Sequence, residues 1–162
     1  MRRSPAPVLL VGPHVHAPHR VERVIACVDG TAVAEQGAAV GADLARRLGA
    51  DLEVLEVVEP RRSGDAGTET PYLHALAERL AVPPARRASV DARRPAHAIV
   101  RHAGTGTGEV LVLGTAAREG FDAWALGGVA TEVVRHARCP VLAVTAAVAD
   151  RLGHHADERA MP

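Results

Sequence analysis

Apolar runs of strand length alternate along the chain with longer segments that carry their polar residues on one side. The apolar runs lie at 7–11, 23–28, 52–58, 88–92, 110–113 and 140–144. The intervening segments with helical spacing lie at 32–48, 70–81, 95–103 and 129–136. Strands that alternate with helices of this length predict an α/β domain with a parallel sheet, and we expect a three-layer α/β/α sandwich.

Residues with special backbone preferences mark where these elements begin and end. The sequence Asp-Gly-Thr at 29–31 follows the strand at 23–28, and Gly49 is placed to stop the first long helix. We expect Gly114 and Thr115 to break the apolar run at 110–113. The run at 88–92 is the least apolar of the set, which predicts an edge strand.

The stretch from Glu109 to Val144 carries a strand, a glycine-bearing loop, a helix and another strand, which is the pattern of a βαβ unit. Glycines between a strand end and a helix start let backbone N–H groups approach an anion. The N-terminus of the helix adds partial positive charge at the same place. The stretch therefore predicts a phosphate site, and a phosphate site suggests a nucleotide.

This stretch also resembles the C-terminal signature of universal stress protein domains. Their nucleotide motif reads Gly, two residues, Gly, nine residues, Gly, then Ser or Thr. Gly114 and Gly127 fit the first and third positions, while Ala117 and Gly128 replace the second and fourth. The sequences RHA at 135–137 and CPVL at 139–142 are similar to the ending of these domains. The resemblance covers residues 21–145.

The resemblance implies a five-stranded parallel sheet of order 3-2-1-4-5, with the strand at 23–28 as the first. It also implies that Asp29 hydrogen-bonds a ribose or a base and that Val57 lines an adenine pocket. The implied ligand is ATP or a related adenine nucleotide, with Mg²⁺ or Mn²⁺ on its phosphates. The candidate binding residues are Asp29, Gly30, Thr31, Val57, Gly114, Thr115, Ala117, Arg118, Gly127, Gly128 and Val129.

Several of these residues also have a purely structural interpretation. Asp29 favours turns and helix caps whether or not a ligand is present. A Ser or Thr at position 128 would offer a hydroxyl to a phosphate and cap the helix, and Gly128 is the weaker cap. Ala117 adds a methyl group where the family has none, and Arg118 is open to two interpretations, a phosphate partner or a solvated surface residue.

Composition narrows the classes of function. The chain has 162 residues, a formal net charge of zero and no lysine, which argues against a nucleic-acid binder and excludes a Walker-type phosphate loop. No apolar run approaches the roughly 18 residues of a membrane helix. Cys27 and Cys139 fall in or beside apolar runs and are expected to be buried thiols, which indicates the cytoplasm.

No nucleophile with a paired base stands out in the sequence, so we expect a binding module without rapid turnover rather than an enzyme. An adenylating ligase shares this kind of sheet, but no further catalytic set is present. His14, His16 and His19 are spaced like a metal cluster but lie in a linker beside prolines, and the tail pair His154 and His155 lacks a fixed geometry, so we do not expect a metal site. Trp124 is expected to pack over a helix rather than to shield a base.

The favoured interpretation is a stress-response module that binds an adenine nucleotide weakly and acts through partner interactions. The alternative is an interaction protein of the same fold whose phosphate loop no longer holds a nucleotide. We expect neither a nucleic acid nor a membrane as partner.

The N-terminal sequence PVLLV at 7–11 is similar to PVLAV at 140–144, so it resembles the last strand of a preceding domain. The predicted organisation is an N-terminal strand and linker at 1–20, the main domain at 21–146 and a tail at 147–162. The strand at 140–145 is an apolar sheet edge, which is a liability unless it is paired. We expect residues 7–11 to pair with it antiparallel, either within the same chain or exchanged between two chains. Without that pairing, we expect a homodimer through the same edge.

Overall fold

The computed structural model describes residues 6–15, 19–59, 68–104, 107–115 and 127–145. The strands are β1 (Val8–Leu10), β2 (Arg23–Val28), β3 (Asp51–Val58), β4 (Arg87–Asp91), β5 (Glu109–Thr115) and β6 (Val141–Thr145). The helices are α1 (Ala32–Leu48), α2 (Pro71–Arg79), α3 (Pro95–Ala103) and α4 (Gly128–His136), with a short 3₁₀ turn at Pro84–Arg86. None of these helices in the described part of the chain is long and apolar enough to cross a membrane.

The strands form one six-stranded sheet in the order β1-β6-β5-β2-β3-β4. The last five of these are parallel to one another and have the predicted 3-2-1-4-5 arrangement, with β4 at the edge. β1 joins the other edge antiparallel to β6, with Leu9 opposite Leu142. The predicted α/β sandwich with an added N-terminal strand is therefore confirmed, and the edge of β6 is covered by the same chain.

Two apolar layers flank the sheet. α3 and α4 pack on the face that carries Ile25, Leu55 and Leu111, whereas α1 and α2 pack on the face that carries Ala26 and Val54. Cys27 and Cys139 are buried free thiols, as the sequence predicted.

The prediction that Gly114 and Thr115 break the strand is wrong, because both belong to β5. The ladder between β5 and β6 continues through Gly114 opposite Val144 to Thr115 opposite Thr145. A glycine is needed at that point of the strand for a steric reason. A Cβ on Gly114 would lie 2.6 Å from the Cα of Ala34 and would overlap the carbonyl of Val33 in α1.

A charged network lies at the amino-terminal end of the sheet. Arg23 donates to Glu53 at 2.8 Å and to Glu109 at 3.1 Å, and His102 at the end of α3 forms a hydrogen bond with Glu53. Burial by itself would raise the pKa of Glu53, but the hydrogen bond and charge of His102, together with Arg23, bring that pKa below its ordinary value. Glu53 is therefore held as a carboxylate inside the fold.

Candidate functional site

A cleft of about 700 Å³ opens at the carboxyl ends of β2 and β5. Between these two central strands the chain leaves the sheet in opposite directions, since β2 continues into α1 on one face and β5 leads to α4 on the other. Ligands of open α/β sheets commonly bind at such a switch point. The lining residues are Cys27, Val28, Asp29, Thr31, Val33, Ala34, Val57, Pro95, Ile99, Leu113, Gly114, Thr115, Gly127, Gly128, Val129 and Ala130.

One side of the cleft, which we name the α1 wall, consists of residues 29–34. The backbone N–H and the hydroxyl of Thr31 both donate to Oδ1 of Asp29, at 3.0 and 2.6 Å. The same hydroxyl accepts a hydrogen bond from Ala34 N–H at 3.3 Å and so caps α1. Gly30, with φ of +82°, allows the turn between the two side chains.

Asp29 therefore has the turn role that its sequence position suggested. Its Oδ1 is occupied by Thr31, and within the described residues Oδ2 has no hydrogen-bond partner. The residue is exposed at the cleft. The turn thus orients one carboxylate oxygen while the other stays accessible.

The opposite side, which we name the α4 wall, consists of residues 127–130. Gly127 is the N-cap of α4, and its carbonyl accepts from Thr131 N–H at 2.9 Å. Gly128 is the first helical residue, so the expectation that residue 128 would cap the helix is wrong. A Cβ on either glycine would meet no atom of the described residues within 4 Å, so that part of the structure leaves both positions open.

A third helix start completes the rim of the cleft. Pro95, the first residue of α3, lies there beside Ile99 of the next turn. Together with Cys27, Val57 and Leu113, these residues give the cleft an apolar portion of its lining. Burial raises the pKa of the Cys27 thiol, with smaller contributions from Cys139 and Glu53, so the thiol stays protonated and is a poor nucleophile.

The structure brings most of the candidate residues into one cleft. The candidates that line it are Asp29, Thr31, Val57, Gly114, Thr115, Gly127, Gly128 and Val129. Gly30 shapes the turn without lining the cleft, and the sites of Ala117, Arg118 and Trp124 lie outside the described residues. The histidines His16, His154 and His155 and the tail at 147–162 lie outside them as well.

Sequence reasoning missed the contributions of Pro95 and Ile99. A signal was present, because Pro95 starts a helix just after the carboxyl end of β4, where a third helix N-terminus would point toward the same edge of the sheet. For the histidines, no group of three or more His, Cys, Asp or Glu side chains that could hold a metal ion occurs among residues with a described position.

Solved structures with this fold are known from several organisms. The chain is similar to universal stress protein UspA from Lactobacillus plantarum, with 23% identity over 77% of this chain and 98% of that one and a TM-score of 0.51. It is also similar to a putative universal stress protein from Pseudomonas aeruginosa UCBPP-PA14, with 18% identity and a TM-score of 0.66. That match covers 96% of this chain but only 58% of the longer Pseudomonas protein.

A universal stress protein solved in complex with cAMP is similar as well, with 20% identity over 78% of this chain and 98% of that one and a TM-score of 0.59. A search of the curated proteins found no match. The family model described as "Universal stress protein family" matches residues 20–145 of the 162-residue chain. The chain therefore belongs to the universal stress protein family.

Proposed function

We propose that the cleft binds ATP or a related adenine nucleotide, and that the protein is a stress-response module that acts through partner interactions rather than by rapid turnover. The observation that carries this proposal is the meeting of three helix N-termini with an apolar pocket in one cleft. α1, α3 and α4 all begin at its rim.

The two halves of the cleft suit the two ends of a nucleotide. The apolar side chains of Val57, Pro95 and Ile99 offer surface to a base, and Oδ2 of Asp29 can accept a hydrogen bond from a ribose hydroxyl. At the α4 wall, backbone N–H groups at the helix start and the bare surfaces of Gly127 and Gly128 admit a phosphate. The family member solved with cAMP supports this class of ligand.

The proposed Mg²⁺ would bind mainly through the phosphates, since Mg²⁺ keeps several waters and needs few protein ligands. Asp29 is the carboxylate among the residues that line the cleft. Among the described residues, this lining has no histidine, and its thiol is kept protonated by burial. This composition supports binding over catalysis, and the buried free thiols support a cytoplasmic location.

One observation favours a second candidate, an interaction protein of the same fold without a nucleotide. Gly114 is explained by the packing of α1 alone, so its presence is not evidence for a ligand.

Calorimetry with ATP and Mg²⁺ separates the two candidates. We expect a dissociation constant of about 10 µM or weaker for the wild type and no detectable binding for Gly127→Val, whose side chain would fill the phosphate end. Leu48→Ser, on an exposed residue at the C-terminal end of α1 and away from the cleft, is the control and should bind like wild type. Absence of heat with wild type would leave the second candidate. Phosphate release above about one per second, lost in Asp29→Asn, would contradict the proposed lack of turnover.

A further inference from the structure

Residues 6–15, which we name the N-terminal arm, touch the fold at two places. β1 pairs with β6 through three residues, and the chain then turns across the C-terminal end of α4. At the turn, Val15 N–H donates to the carbonyl of Gly12 at 3.3 Å. The arm therefore connects the edge of the sheet with a helix that belongs to the cleft.

Gly12 is fitted closely to α4. A Cβ at this position would overlap the carbonyl oxygen of Val134 and would lie 3.9 Å from that of Ala137. Glycine is the residue that lets the backbone of the arm lie directly on the last turn of the helix.

Leu9 and Leu10 differ in their surroundings although they are neighbours in β1. Leu10 packs against the apolar cluster that contains Val133 and Ala137 of the α4 segment. Leu9 is 55% exposed. Leu10 of the arm therefore packs on the side of the sheet that carries α4, whereas Leu9 is mostly exposed to solvent.

α4 needs such support more than a long helix would. It has nine residues, it begins with a glycine, and its N-cap, Gly127, has no side chain. Helices of this length are marginal by themselves and depend on tertiary packing. α4 packs on α3 and β6, and the arm adds a contact at its C-terminal end.

We propose that the N-terminal arm is a clamp on α4 and thereby fixes the α4 wall of the cleft. The arm contacts the last turn of the helix at Val134, and the wall is its first turn, which begins about 10 Å away along the same helix. When the arm lifts, α4 loses a packing partner and the wall loosens. Only the effect on nucleotide affinity rests on the proposed function.

Leu10→Ser and Leu9→Ser form a matched pair that tests the clamp, since they place the same substitution on adjacent residues of β1. Gly12→Ala is a second way to lift the arm, by a single added carbon. Amide hydrogen exchange is measured for α4 and α1 in the full chain, followed by calorimetry with ATP and Mg²⁺. We expect exchange in α4 to become about tenfold faster in Leu10→Ser and Gly12→Ala, with α1 unchanged and with Leu9→Ser like wild type.

The outcomes divide cleanly. Unchanged exchange in α4 for both arm variants, or equal acceleration in α1 and α4, overturns the clamp. If ATP binds wild type, affinity should fall in Leu10→Ser and Gly12→Ala but not in Leu9→Ser, and equal affinities would contradict the coupling. If ATP does not bind wild type, the proposed function fails, and the exchange data still decide whether the clamp exists.

Discussion

The two walls of the cleft are built in opposite ways. α1 has 17 residues, a Thr31 cap at its start and Gly49 in the left-handed conformation at its end. α4 has nine residues, and its N-cap, Gly127, has no side chain. Gly114 and Gly37 let α1 lie directly against β5, whereas a Cβ on Gly127 or Gly128 would meet none of the described residues.

This difference separates two uses of glycine in one motif. On the α1 side, glycine permits backbone-to-backbone packing and contributes to the stability of the fold. On the α4 side, glycine leaves space beside the backbone N–H groups at the start of the helix and contributes little to packing. We infer that the α1 wall is rigid and that the α4 wall is the part whose mobility changes when a ligand binds.

The largest effect that this comparison predicts is on stability. Gly114→Val would drive a side chain into the backbone of α1 and should lower the free energy of unfolding by about 3 kcal/mol or more. Gly128→Ala is the control and should change it by less than about 1 kcal/mol, because a Cβ there would meet none of the described residues within 4 Å. Urea unfolding measures both, and similar losses in the two variants would contradict the comparison.

The charged network at the amino-terminal end of the sheet should affect the stability of both walls together. Because the pKa of Glu53 is lowered on folding, its contribution to stability is present above the ordinary value of 4.5 and is lost as pH falls through the folded value. Glu53→Gln should cost about 2 kcal/mol at pH 7, less than for a fully buried pair, because Arg23 keeps Glu109. The free energy of unfolding of Glu53→Gln should also fall less steeply than that of the wild type as the pH is lowered. Chemical denaturation from pH 7 to pH 3 measures this, and parallel pH profiles for the two proteins would refute it.

Loss of the cap should weaken the α1 wall alone. Thr31→Ala removes the acceptor for Ala34 N–H and the donor to Asp29, and should lower stability by about 1 kcal/mol. Thr31→Ser retains both hydrogen bonds and should stay close to wild type. Thermal unfolding distinguishes them, and an alanine variant as stable as the serine variant would show that the cap is unimportant.

The smallest effect concerns ligand affinity at the α4 wall. Gly128→Ser places a hydroxyl in open space at the first helical position. One added neutral hydrogen bond should strengthen ATP binding by roughly three- to twelvefold. Gly128→Ala, which adds a carbon without a hydroxyl, is the control in calorimetry. An equal gain in both variants would assign the effect to the helix backbone instead.

Residue preferences and apolar patterns along the chain predicted the strands and the helices well. The stop at Gly49 and the antiparallel pairing of β1 were both anticipated, since they depend on residue preference and on the apolar edge of β6. The misreading of Gly114 as a strand breaker has a physical cause. Its constraint comes from α1, nearly 80 residues away in sequence, and such a contact leaves no local pattern. The place of Ile99 in the cleft depends in the same way on how α3 packs.

Amide hydrogen exchange of the wild-type protein, with and without saturating ATP and Mg²⁺, tests most directly whether the α4 wall is the mobile, ligand-binding side of the cleft. Without ligand, α4 should exchange faster than α1, because it is shorter and its N-cap, Gly127, has no side chain. With ligand, exchange in α4 should slow by about tenfold or more, while α1 changes little. Equal exchange in the two helices without ligand, or no slowing of α4 when ATP is added, would contradict this difference between the two walls.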